Sequence, residues 1–121
     1  MPLEWTINHP HRLVTVTVAG VTDPADVEHY LAEIAAAGGM PYRKIIDLTF
    51  APGEARLADL KVMMRTTEHY AKTYTLGALA IVVDSDLSED TSTVYGERTR
   101  VERSFRIFRE KSEALAWLGQ P

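Results

Sequence analysis

Leu79-Ala80-Ile81-Val82-Val83 is an unbroken apolar run that stops at Asp84. A strand buried on both faces reads this way, and such strands belong to parallel sheets whose crossover helices cover each face. The reading therefore demands a helix before the run, and one is there. From about Arg56 to Tyr74 the residues Leu57, Leu60, Met64, Thr67 and Ala71 fall on one helical stripe, with Met63 and Tyr70 beside it. Upstream of that helix, Tyr42-Arg43-Lys44-Ile45-Ile46-Asp47-Leu48 repeats the buried-strand pattern, and a loop with Pro52-Gly53 separates the two.

Working toward the N-terminus, Gly38-Gly39 ends a helix that Asp23 caps and Pro24 opens, since proline at the first helical position forfeits no hydrogen bond. Val27, Tyr30, Leu31 and Ile34 form its apolar face. Leu13 to Val18 alternates Val or Leu with Thr, the period of a strand with one wetter face. Leu3 to Asn8 precedes it across the short turn His9-Pro10-His11, so these two strands form an antiparallel hairpin. Beyond Asp84, Ser85 to Asp90 can cap a helix over roughly Glu89 to Glu102. Phe105 to Phe108 is a final short strand, and Ser112 to Leu118 a closing helix that buries Leu115 together with Trp117 or Leu118. Trp5 and Trp117 are expected in the core near the hairpin and this last helix.

The order β-β-α-β-α-β-α-β-α gives one α/β domain over residues 1–121: a five-stranded mixed sheet, antiparallel at the N-terminal hairpin and parallel elsewhere, with about four helices. A chain of 121 residues buries roughly two-thirds of its unfolded surface, enough for one core. The 45% hydrophobic and 25% charged content is that of a globular protein. With no cysteine, disulfide and thiolate chemistry are excluded. The start of the chain lacks the basic and apolar segments of a signal peptide, and no apolar run approaches the ~20 residues that cross a bilayer, so a cytoplasmic location is expected.

The net charge of −4 speaks against general nucleic-acid binding, though it is uneven. Arg98, Arg100, Arg103, Arg106 and Arg109 cluster near the C-terminus with Glu97, Glu102 and Glu110 interleaved. Interleaving of this kind is the pattern of a solvated, ion-paired face more than of a patch for an anionic partner.

The whole chain resembles the STAS family in its SpoIIAA-like branch. The hairpin with Leu13 to Val18, the helix opened by Asp23-Pro24, the strand ending in Asp47-Leu48-Thr49, and the closing Phe105-Arg106-Ile107-Phe108 and Glu113-Ala114-Leu115-Ala116-Trp117-Leu118 carry the likeness. The resemblance implies a βα superhelix with strands in sequence order, and a regulatory, non-enzymatic domain of a kind that in many members binds a protein partner and in some a nucleotide or other small ligand. The family's anti-sigma-factor antagonists carry a phosphorylatable serine at the start of the helix after the central strand. The corresponding stretch here, Glu54-Ala55-Arg56-Leu57-Ala58-Asp59, has no hydroxyl, and Thr49 lies earlier, in the loop. The related Sec14-like fold holds lipids, so an alternative is a carrier or sensor of a small apolar ligand. Such a carrier needs a cavity of at least ~300 Å³.

Asp47 and Asp84 end successive parallel strands, where open α/β sheets place their ligands. With Thr49, Phe50, Arg56, Asp86 and Ser88 they make the expected partner- or ligand-binding surface. Paired carboxylates could hold Mg²⁺ or share a proton, which leaves a carboxylate-based enzyme as a remote alternative. The plainer account is that acids and hydroxyls at strand ends satisfy turns and cap helices. Met63, Met64, Tyr70 and Tyr74 could line an apolar pocket or an interface, although ordinary core packing explains them as well. His9 and His11 fall on one side of an extended segment, but no third metal ligand is near in sequence. We expect no cofactor and no metal. No nucleophile motif such as Gly-x-Ser-x-Gly and no glycine-rich phosphate loop is present. A homodimer through an exposed strand edge or the methionine-bearing helix is compatible with the sequence.

Overall fold

The computed structural model describes residues 3–19, 23–49, 65–70, 72–83 and 105–119. In chain order the elements are β1 (Leu3–Asn8), β2 (Leu13–Val18), α1 (Pro24–Ala36), β3 (Arg43–Asp47), helical residues 65–70 (α2), β4 (Leu79–Val82), β5 (Phe105–Phe108) and α3 (Lys111–Trp117). The helix expected over Glu89 to Glu102 lies outside the described residues, as do residues 56–64 of the expected Arg56–Tyr74 helix. Residues 65–70 are helical, but residues 72–74 turn away, with the Thr73 and Tyr74 N–H groups donating to Tyr70 O at 3.0 and 2.9 Å.

The five strands stand in the order β1-β2-β3-β4-β5. The hairpin β1–β2 is antiparallel, and every later pairing is parallel. A sheet in sequence order follows from right-handed crossovers that each return the chain beside the strand just left. The mixed sheet and its winding are those read from the sequence.

The alternation of side chains divides the core into two layers. On one face Leu3, Val14, Val16, Val18, Ile46, Leu48, Leu79 and Ile81 meet Val27, Tyr30, Leu31 and Ile34 of α1. On the other, Leu13, Ile45, Ala80 and Val82 meet Ala114 of α3 and Leu118 just after it. The central strands β3 and β4 are therefore wrapped on both sides, which is why their sequences show no polar alternation. At the sheet margin the second face is polar: Glu4, Thr6 and Asn8 are exposed, and Thr15 and Thr17 are half-buried.

Both ends of α1 are set by local chemistry. Asp23 Oδ1 accepts the Ala25 N–H at 2.8 Å. At the other end the Gly39 N–H donates to Ile34 O and the Gly38 N–H to Ala35 O, with Gly38 at φ 75°. These are the two bonds of a Schellman stop, which glycine accommodates without the strain a side chain would meet.

The two tryptophans are less central than their size suggests. Trp5 is half-buried on the terminal strand, edge-on to His29 and Tyr30. Trp117 packs against Phe108 at the margin of the second layer. In that layer Ala114 and Leu118 are buried while Leu115 is only partly so. A helix of seven residues presents a single narrow face, and that face is led by Ala114.

Candidate functional site

Parallel strands in register end on a common rim. Asp47 is level with Thr17 of β2 and Val82 of β4. Just beyond, the Leu48 N–H donates to Val82 O at 2.9 Å and the Val83 N–H to Phe108 O at 2.9 Å. The ends of β3, β4 and β5 are thus tied together side by side.

On this rim Asp47 is 92% buried, and its Oδ1 accepts both the Thr49 N–H at 2.9 Å and the Thr49 hydroxyl at 2.6 Å. The carboxylate mimics a backbone turn and fixes the direction in which the chain leaves β3. Asp47 and Thr49, grouped from sequence, do come together, and their contact is the turn-forming one. Phe50, Arg56, Asp84, Asp86 and Ser88 lie outside the described residues.

Tyr70 and Tyr74 also come together, with rings near-parallel (29°) and centroids 6.1 Å apart. Tyr70 packs against the first core layer, whereas Tyr74 is 40% exposed. Met63 and Met64 lie outside the described residues. Beside Tyr70, a hollow of about 610 Å³ separates α1 from α2. Its walls carry Glu28, His29, Arg65 and His69, so it is a polar space unlike a lipid pocket. A second hollow, of about 440 Å³, lies along the sheet margin, lined by residues 3–6 of β1, Thr15 and Thr17 of β2, and His29.

His9 and His11 do not converge on a common partner. His9 Nδ1 is 2.8 Å from the Tyr42 hydroxyl, while His11 gives its backbone N–H to Asn8 Oδ1. Among the described residues no group of three His, Cys, Asp or Glu side chains is placed to hold a metal ion. Among them, too, no helix is long and apolar enough to cross a membrane.

Two charged residues of β3 gain roles that periodicity did not announce. Lys44 is 97% buried, and its ammonium donates to the carbonyls of Gly39 (3.2 Å), Met40 (2.6 Å) and Tyr42 (2.9 Å). Arg43 donates from Nη1 to Leu118 O at 2.5 Å and from Nη2 to His11 O at 2.6 Å. The signal was a basic pair opening a strand that is otherwise buried, where a cation persists only if fully hydrogen-bonded. Which carbonyls serve it is a matter of tertiary structure.

The sheet, its winding and its helices define a SpoIIAA-like α/β fold. A solved structure bears this out: an uncharacterized protein of the DUF3478 family with a SpoIIAA-like fold, from Shewanella loihica PV-4. The two share 23% sequence identity over 96% of this chain and 91% of that one, with a TM-score of 0.58. No protein-family model and no curated protein matches the chain.

Proposed function

We propose that this protein is a non-enzymatic regulatory domain that binds a protein partner through the carboxyl rim of its sheet, without a serine phosphoswitch. The observation that supports it is the state of Asp47. A mostly buried carboxylate that accepts two hydrogen bonds from Thr49 on one oxygen is committed to shaping a turn. Such a group holds a surface in fixed form for recognition and is poorly placed to move protons. The SpoIIAA-like fold and the absence of a hydroxyl from residues 54–59 agree with partner binding that does not depend on phosphate at that helix start.

The test is capture of partners from the native cytosol by tagged wild-type protein, in parallel with Arg56→Glu and Thr49→Glu variants. A specific, near-stoichiometric protein that is retained by wild type and lost from both folded variants is the expected result. A partner held equally by all three would move the contact surface away from the rim. Capture of nothing specific, with the domain folded and in excess, would remove the proposal's support.

A further inference from the structure

We propose that two copies of this chain associate by antiparallel pairing of their β1 edges, about a two-fold axis centred on Thr6. The inference is independent of the rim, since it rests on the opposite margin of the sheet.

β1 is the terminal strand of the sheet, and among the described residues only β2 pairs with it. The outer edge of a terminal strand offers backbone N–H and C=O groups to another chain, and proteins that stay apart guard such edges with lysine, proline or a bulge. Leu3–Asn8 has none of these: its sequence is LEWTIN, with Glu4 as its one charge, and all six of its residues pair with β2 in continuous register.

The occupant follows from the strand's own pattern. In antiparallel pairing, opposed residues point to the same face, so a two-fold axis must pass through a residue that meets its own copy. Centring on Thr6 opposes Trp5 to Ile7 and Glu4 to Asn8, each pair occurring twice by symmetry. Trp5 and Ile7 are both partly buried at the margin of the first core layer, and an aromatic paired with a β-branched residue is a favourable cross-strand combination. Glu4 and Asn8 are both exposed on the polar face, where the amide can donate to the carboxylate. The lone charge never meets its copy. Centring on Trp5 instead would set two indoles against each other, although each is already packed edge-on to His29 and Tyr30.

Charge reversal at the centre tests this directly. Thr6 is exposed, so Thr6→Lys and Thr6→Glu keep the fold, verified by circular dichroism, with near-isosteric Thr6→Val as the baseline. By sedimentation equilibrium the wild type and Thr6→Val are expected to dimerise. Each charged variant alone is expected to associate several-fold more weakly, and an equimolar mixture of the two to prefer mixed dimers by roughly tenfold, because opposed like charges repel and opposed unlike charges attract. A wild type that stays monomeric at near-millimolar concentration would overturn the proposal. So would charged variants that self-associate as tightly as wild type with no preference in the mixture.

Discussion

Lys44→Met should lower stability by about 2–4 kcal/mol, a large part of the ~5–15 kcal/mol that holds a domain together. In the folded protein the ammonium is 97% buried and donates to three carbonyls of the loop between α1 and β3. Hydrogen bonds to charged groups contribute about 1.5–3 kcal/mol each, but three that share one ammonium do not simply add. Two of the oxygens keep other donors: Gly39 O retains the Tyr42 N–H at 3.0 Å, and Met40 O the Gly77 N–H at 3.2 Å. Methionine also fills the volume of the lysine stem and spares the cost of burying a charge, which pulls the estimate down from the simple sum. For a chain of this length the loss corresponds to a fall of roughly 10 °C in Tm. Thermal and urea unfolding measure it, and faster hydrogen exchange at the Tyr42 and Gly77 amides would locate it in the loop. A Lys44→Met protein as stable as wild type would refute the reasoning, because it would mean that packing alone shapes residues 39–42.

Two further substitutions probe how neighbouring segments are held. Gly77→Ala should fold poorly or not at all: a Cβ there would overlap Tyr42 O and lie 2.5 Å from Pro41 O, both backbone atoms. Soluble yield and melting temperature report it, and an alanine variant as stable as wild type would show that these loops can separate freely. Arg43→Met should cost about 1–3 kcal/mol and loosen the end of α3, since it removes donors to Leu118 O and His11 O. Trp117 fluorescence, followed during unfolding, would show the C-terminal helix detaching at lower denaturant than in wild type.

The fold was legible because its signals are local or periodic. Asp23-Pro24 and Gly38-Gly39 bracket α1 in the sequence as they do in space, and the alternation in Leu13–Val18 separates a core face from a wetter one. The winding follows from handedness once the helices are placed, and the strand order from the resemblance to the SpoIIAA-like branch. The parts of the site that could be read were equally local: Asp47 and Thr49 are two residues apart, so their hydrogen bonds are written in the chain. Lys44 could not be read in this way, because its partners depend on how the loop folds back. Nor could the contact of Arg43 with Leu118, which closes across 75 residues. Trp5 and Trp117 pack against the core as expected but are only partly buried, for a related reason. Size argues for the core, but a terminal strand and a seven-residue helix have only one side to bury.

The charges of the central strand share a common use. Arg43 ties the hairpin turn to the end of α3, Lys44 gathers the loop that enters the strand, and Asp47 sets the turn that leaves it. Each charged side chain of β3 thereby helps hold the connections around the strand, through hydrogen bonds to backbone and to the Thr49 side chain. A charge so engaged cannot readily serve a ligand as well, because diverting it would leave buried carbonyls or a buried carboxylate without their partners. The outer edge of β1, which among the described residues pairs only with β2, carries no such engaged charge. Changes at positions 43, 44 and 47 alter the frame itself.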